Sequence, residues 1–231
     1  MAAVADGAGS TTMGEIGAAL AVRTSVESLR GRLSTGGPPS TEDENHWQAL
    51  LMEAVDASRK ALEGEAAERK VAVRELATTL ILLVAAPHLV AVAQVGDGAV
   101  VLGDAEGNPH TLTVPKTGEY INETTFIVSP NALEETQVAL WPSPPTHLAA
   151  LTDGLEMMAL KLPGGEPHGP FFQPLFRFVA CATEGAKSEE KLAEFLSSPR
   201  IRERTDDDLT LLLAAFIANS SGEPCPDFDA N

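Results

Sequence analysis

The chain has 231 residues, of which 44% are hydrophobic, and its 33 acidic and 16 basic side chains give a formal net charge of −17. The length suits one sizeable domain, and the acidic balance excludes sequence-independent nucleic-acid binding, which needs a basic face. No secretory signal opens the chain, and no uncharged apolar run reaches about 18 residues without a turn signal, so we expect a cytoplasmic protein without a membrane span. Cys181 and Cys225 lack metal-type or redox-type spacing, and we expect two free thiols.

The first part of the chain predicts a short strand and two helices. Residues 1–5 predict the end of a strand that leads into Asp6-Gly7. Residues 15–32 and 45–63 have apolar side chains at helical spacing. Thr41 and Glu44 form a capping-box pattern before the second helix.

The middle of the chain predicts a hairpin of buried strands. Residues 79–86 and 89–95 are uncharged and rich in Val, Leu, Ile and Ala, and Pro87-His88 between them suits a turn. Gly96-Asp97-Gly98 ends the second run, and the apolar pattern resumes at residues 99–102. Further strands are predicted at residues 110–114, 124–129, 137–141 and 147–151.

The last part predicts two helices and a final strand. The helices cover residues 171–183 and 188–196, and the strand, 209–216, follows three consecutive aspartates. We place one domain at residues 1–218 and a disordered tail at 219–231. Strands outnumber helices, and the helices come in an early and a late pair. This order favours an α+β fold with antiparallel sheets over alternating βαβ units.

Four acidic turns follow or precede apolar strand candidates. They contain Asp6, Asp97, Asp153 and the run Asp206-Asp207-Asp208. Aspartate oxygens suit hard divalent cations such as Mg²⁺ and Mn²⁺, and two such ions can clamp a phosphoryl group. An Asp-Gly pair is also simply a good turn. Each turn alone therefore favours a structural role, whereas the recurrence of four favours a metal site.

Four motifs, in this order, resemble those of the metal-dependent Ser/Thr protein phosphatases of the PP2C class, and more closely their bacterial branch. They are VADGAGS at residues 4–10, QVGDGAVVL at 94–102, LTDGLE at 151–156 and TDDDLTLLL at 205–213. ELATTL at residues 75–80 also matches the strand before the second motif. The resemblance implies a four-layer αββα sandwich of two antiparallel β-sheets flanked by helix pairs.

The same resemblance implies a set of metal ligands. Asp6 would bridge two ions, the Gly7 carbonyl would bind the second, and Asp153 and Asp207 would bind the first. Asp97 would serve a third site found in bacterial members. Asp207 is preferred over its neighbours because the run from Asp207 to Thr210 fits the family's register.

By resemblance, the reaction is hydrolysis of phosphoserine or phosphothreonine in proteins. A water activated by Mg²⁺ or Mn²⁺ attacks phosphorus in line, without a phosphoenzyme, and Asp6, Asp153 and Asp207 are the catalytic residues. The implied partners are phosphorylated proteins and a bacterial Ser/Thr kinase system.

The sequence departs from the family pattern at its start. Family members usually begin with an earlier strand that carries a phosphate-holding Arg and acidic residues, and no such strand precedes Val4. Ala8 stands where some members have a His. Two interpretations follow: a start placed too late, or a catalytically impaired pseudophosphatase that binds phosphoproteins or a regulator. A structural domain with ordinary Asp turns is the third interpretation.

Overall fold

A computed structural model of the chain describes residues 1–86, 88–104, 106–115 and 124–216. Several predictions fall outside the described residues. They concern the tail at 219–231 with Cys225, the last two residues of the predicted domain, and Pro87 of the predicted hairpin turn.

Seven helices and ten strands occur in the described part of the chain, joined by 3-10 turns at Val73–Leu76 and Asp153–Leu155. The helices are α1 (Gly14–Gly36), α2 (Glu44–Arg69), α3 (Ala132–Glu135), α4 (Glu156–Ala159), α5 (Gly169–Ala180), α6 (Gly185–Ser197) and α7 (Pro199–Arg202). The strands are β1 (Ala2–Val4), β2 (Leu80–Ala86), β3 (Leu89–Val95), β4 (Ala99–Gly103), β5 (Pro109–Thr113), β6 (Gln137–Trp141), β7 (His147–Leu151), β8 (Leu160–Lys161), β9 (Glu166–Pro167) and β10 (Leu211–Ala215).

The first compact unit comprises residues 1–99 and 112–144 as far as they are described. Its sheet has the strand order β1-β2-β3-β6, and each neighbouring pair is antiparallel. Alternate residues of β2 and β3 pack against α1 and α2, as the period-two orientation of strand side chains requires. The cluster includes Leu51, Leu62, Leu80, Leu82, Ala91 and Ala93.

The second compact unit comprises residues 100–111 and the described residues from 145 onward. Its sheet has the order β10-β7-β4-β5, with β10 and β7 paired antiparallel from Leu211↔Leu151 to Ala215↔His147. Helix α5 packs on β10 and β7 and buries Phe172, Leu175 and Phe176. The α+β class with two antiparallel sheets and helix pairs is confirmed.

Three local expectations are wrong. Residues 124–129 form no strand: the Phe126 N–H is bound to the Ser129 hydroxyl, a local side-chain bond that competes with sheet pairing. The cap of α2 is Asp43, whose carboxylate accepts from the His46 N–H at 3.1 Å, so the Thr41–Glu44 capping box does not form. Cys181 is disulfide-bonded and is not a free thiol.

We expect Asp43→Ala to lower the free energy of unfolding by about 1 kcal/mol, because an orphan N–H of the first helical turn loses its acceptor. Thr41→Ala, two residues away, is the matched control and should change stability little. Urea denaturation of the three proteins measures both effects. Equal losses in the two variants would contradict the Asp43 cap.

Burial lowers the pKa of His147 below its ordinary value of 6.5. Its ring stacks on Phe176 with centroids 5.0 Å apart, and Nδ1 lies 2.9 Å from the Thr146 hydroxyl. A lowered folded-state pKa means that folding favours the neutral ring. The resulting stability is present above pH 6.5 and is lost as the pH falls from there towards the folded-state pKa.

We therefore expect His147→Gln to make the free energy of unfolding less sensitive to pH between 7.5 and 5.5 than that of the parent protein. His88→Gln, which changes an exposed ring, should leave the parent's pH dependence intact. Denaturant titrations at a series of pH values provide the comparison. An unchanged slope in His147→Gln would show that the ring titrates alike in both states.

Candidate metal centre

The backbone of Asp6 is fixed at the end of β1 by two threonines of the neighbouring chain segment. Its N–H donates to the Thr79 hydroxyl at 3.0 Å. Its carbonyl accepts from the Thr79 N–H at 2.9 Å and from the Thr78 hydroxyl at 2.8 Å. Antiparallel pairing of β1 with β2 brings these segments together. The Asp6 main chain is therefore held in one position although the residue lies outside the strand.

Gly7 is required by a close approach of the chain to the start of α1. A Cβ at Gly7 would lie 2.3 Å from the Gly14 carbonyl carbon, a distance that real Cβ atoms do not show. The Ala8 N–H donates to the Ala77 carbonyl at 2.9 Å and closes the other side of the turn. The glycine thus has a packing reason, and a metal-binding role for its carbonyl stays a prediction.

Asp97 lies in the turn after β3, where Gly96 has a φ of +108°. Glycine adopts this left-handed conformation readily, and a Cβ here would also lie 2.5 Å from the Thr79 methyl group. The half-buried Asp97 carboxylate accepts a hydrogen bond from the Thr124 hydroxyl. Thr79 therefore touches both acidic turns of the first unit, through its hydroxyl at Asp6 and its methyl at Gly96.

Asp153 follows β7 and Asp207 precedes β10, and these two strands of the second unit are paired. The pairing of β7 with β10 continues past the strand ends, since the Thr152 N–H donates to the Thr210 carbonyl at 3.2 Å. The Thr210 N–H donates back to the Thr152 hydroxyl at 3.1 Å. A Cβ at Gly154 would lie 2.4 Å from the Asp208 carbonyl oxygen and 3.3 Å from the Asp207 Cβ. The Asp153-Gly154 turn therefore packs directly on the chain at Asp207.

The exposed Asp207 is fixed through its main chain. Its N–H donates to the Thr205 hydroxyl at 3.2 Å, and its carbonyl accepts from Arg202 Nη1 at 3.1 Å. Its Oδ1 accepts from the Asp208 N–H at 2.9 Å. Among the three consecutive aspartates, Asp207 thus has the carboxylate that this local network orients.

The structure places Asp6, Gly7 and Asp97 in the first unit and Asp153 with Asp207 in the second. Within the described ranges, no group of three or more His, Cys, Asp or Glu side chains lies close enough together to hold a metal ion. The donors present are carboxylate and carbonyl oxygens, which is the chemistry that Mg²⁺ and Mn²⁺ prefer, and the Gly154 contact packs the turn that carries Asp153 against the chain at Asp207. The residues fit a divalent cation, and the five-residue assignment stays a prediction.

Sequence reasoning missed the residues that position these acids. Thr79, Thr124, Thr152 and Arg202 form the hydrogen bonds described above, and each acts on a residue distant in the chain or across a turn. Only the ELATTL match at residues 75–80 gave a signal, and it pointed to the strand rather than to the Thr79 hydroxyl.

Comparison with known proteins shows the family to which the chain belongs. Residues 1–197 match the protein phosphatase 2C family, a range that ends before Asp207 and β10. The chain is also 38% identical over 215 residues to serine/threonine-protein phosphatase 3 of Escherichia coli strain K12, covering 92% of this chain and 82% of that protein. The chain belongs to the protein phosphatase 2C family, and its relatives are bacterial members.

Solved structures show the same fold. The catalytic domain of serine threonine protein phosphatase PstP, crystallised with two manganese ions, aligns with a TM-score of 0.62 at 18% identity, covering 92% of this chain and 86% of that one. Serine/threonine phosphatase Stp1 of Staphylococcus aureus aligns with a TM-score of 0.59 at 15% identity, covering 92% and 82%. In the described part of this chain, no helix combines the length and apolar character needed to span a bilayer.

We expect Gly154→Ala to disrupt the Asp153–Asp207 arrangement, because the added methyl group would overlap the Asp208 carbonyl oxygen. The expected loss of unfolding free energy is about 1–3 kcal/mol, with a smaller Mn²⁺-induced rise in the melting temperature. At Gly164, where an added methyl group would have no neighbour nearer than 3.9 Å, the same substitution serves as the control. Thermal unfolding with and without Mn²⁺ measures both quantities, and identical behaviour of the two variants would refute the close contact.

Proposed function

We propose that this protein hydrolyses phosphoserine and phosphothreonine in proteins with Mg²⁺ or Mn²⁺ as its resident cofactor. The observation that carries the proposal is the contact of the Asp153-Gly154 turn with the chain at Asp207. It brings the chain segments that carry Asp153 and Asp207 together at the ends of paired strands, in a chain whose family is one of protein phosphatases.

Five residues would hold the ions in this proposal. Asp153 and Asp207 would bind the first ion, Asp6 would contribute to the first and the second, and the Gly7 carbonyl would contribute to the second. Asp97 serves a third ion. The two manganese ions in the PstP catalytic domain support a divalent cation at this kind of fold.

When bound, such cations supply a water of lowered pKa and neutralise charge on the phosphoryl oxygens. The chain's own residues supply preorganisation. Three hydrogen bonds from Thr78 and Thr79 to the Asp6 main chain hold that residue. The Thr124 hydroxyl orients the Asp97 carboxylate. Arg202 and Thr205 hold the Asp207 main chain. Ligands that are fixed before the substrate arrives need little rearrangement in the transition state.

The partners and location are proposed with the activity. The substrates would be phosphorylated Ser/Thr proteins, supplied by a Ser/Thr kinase in signal transduction, and the protein would act in the cytoplasm. Neither nucleic acid nor membrane is part of the proposal, since the net charge of −17 disfavours both polyanionic partners.

The test is hydrolysis of a phosphothreonine peptide by the full chain with Mn²⁺ and with EDTA. We expect Mn²⁺-dependent turnover that Asp153→Ala and Asp207→Ala each lower by about a hundredfold or more, because each removes a carboxylate ligand. Asp206→Ala is the matched control: it removes the neighbouring exposed carboxylate that has no assigned role, and should keep most of the activity.

The contrary outcomes separate the alternatives. No turnover, with a Mn²⁺-induced rise in melting temperature, would contradict hydrolysis and favour a pseudophosphatase that binds phosphoproteins. Absence of any Mn²⁺-induced rise would contradict the metal site itself, since a ligand of the folded state alone must stabilise it.

A further inference from the structure

A cavity of about 130 Å³ lies among α4, α5, α6 and α7 of the second unit. Apolar side chains, one histidine and two arginines line its wall. We call it the α5–α7 pocket. Its lining includes Met158, Phe171, Leu175, Phe195, Arg200 and Arg204.

Within the part of the chain that the structure describes, the two arginines of this pocket have no acidic partner. The side chains of Arg200 and Arg204 make no hydrogen bond or ion pair with any residue in the described ranges. Arg32, Arg59 and Arg69 each pair with a glutamate, and what distinguishes Arg200 and Arg204 from other unpaired arginines is that both line one cavity. In a chain with 33 acidic and 16 basic side chains, two unpaired arginines at one cavity mark a place for an anion from outside the unit.

The size and wall of the pocket add an apolar requirement. An engineered apolar cavity of roughly 150 Å³ binds benzene, so a cavity of about 130 Å³ suits one bulky side chain such as Phe, Leu or Met. The buried Leu175, together with the half-buried Phe171 and Phe195, gives such a group apolar contacts. The pocket therefore suits a bulky apolar side chain with a carboxylate next to it.

The pocket adjoins the proposed metal ligands of the same unit. Arg202 lies between the two pocket arginines and donates to the Asp207 carbonyl at 3.1 Å. Met158, in the pocket wall, belongs to α4, which directly follows the 3-10 turn Asp153–Leu155. Helix α7, which holds the Asp207 backbone, and helix α4, which directly follows the turn that carries Asp153, thus both form part of the pocket. An extended peptide seated in the pocket would run on towards these carboxylates.

We propose that the α5–α7 pocket binds a segment of the phosphoprotein substrate in which a bulky apolar side chain is flanked by acidic residues. The inference rests on the proposed function and adds the substrate class to it. Continuity with Asp153 and Asp207 favours a substrate segment over a small free anion. Arg200 and Arg204 act in docking, without contact with the reacting phosphate.

The first arm of the test measures turnover with peptide pairs. Each pair has a phosphothreonine and an Asp-Phe-Asp segment, replaced by Asn-Ala-Asn in the second member, with spacings of three, five and seven residues between them. These spacings span roughly 10–23 Å in extended chain. We expect kcat/KM to favour the Asp-Phe-Asp member about tenfold at one spacing, through KM.

Two double variants identify the residues responsible. Arg200→Ala/Arg204→Ala should abolish the peptide preference and leave hydrolysis of p-nitrophenyl phosphate unchanged, because neither arginine is a proposed metal ligand and the small ester carries no peptide segment to dock. Arg30→Ala/Arg177→Ala removes two exposed arginines elsewhere, changes the net charge equally and should keep the preference. No preference at any spacing, or a preference that survives loss of Arg200 and Arg204, would overturn the proposal.

The second arm is independent of turnover. Binding of an unphosphorylated, fluorescein-labelled Asp-Phe-Asp peptide, followed by anisotropy, should weaken about tenfold in Arg200→Ala/Arg204→Ala and be unchanged in Asp153→Ala. Loss of p-nitrophenyl phosphate hydrolysis with pocket binding intact would overturn the proposed function alone. The sequence has its own Asp-Phe-Asp at residues 227–229. Peptide binding that appears only in Asp227→Asn/Phe228→Ala/Asp229→Asn would assign the pocket to that segment and overturn a substrate role.

Discussion

The absence of a Cβ at Gly154 is the constraint on which the close packing of the Asp153-Gly154 turn against the chain at Asp207 depends. The turn after β7 packs so closely on the chain before β10 that a methyl group would overlap the Asp208 carbonyl oxygen. The paired strands bring the two segments together, and the glycine allows the last approach. Gly7 meets the same constraint against Gly14 in the first unit. In the pairs Asp6-Gly7 and Asp153-Gly154, the acid is therefore followed by a glycine that lets two backbone segments pack closely.

Threonine hydroxyl groups supply hydrogen bonds at the acidic turns, where the glycines allow close packing. Thr79 binds the Asp6 N–H, Thr152 binds the Thr210 N–H, and Thr124 binds the Asp97 carboxylate. A threonine at a strand end can satisfy backbone groups that the ladder no longer pairs. These hydroxyl groups thus help to position the chain segments that carry the acidic residues. Enzymes catalyse phosphoryl transfer mostly by positioning the reactants and stabilising charge. Residues that are held in place before the substrate binds meet this requirement.

The net charge of −17 disfavours an acidic partner for the chain as a whole. The two arginines at the α5–α7 pocket provide positive charge at one cavity. Arg202 joins that pocket to the Asp207 backbone, so substrate docking and ligand positioning share the one-turn helix α7. This arrangement offers a physical basis for selecting substrates without changing the residues that would hold the metal ions.

The sequence by itself determined the features that are local in the chain. The apolar runs that became β2 and β3, the helical spacing of α1, α2, α5 and α6, and the ordered Asp motifs were all readable because periodicity and motif order need no distant partner. The tertiary structure alone decided which residues hold the acids, because the partners of Asp6, Asp97 and Gly154 are distant in sequence. It also moved the α2 cap from Thr41 to Asp43 and turned residues 124–129 from a strand into a threonine-bearing turn. Local patterns fix the type of element, whereas close approach and hydrogen-bond partners depend on where the packed elements meet.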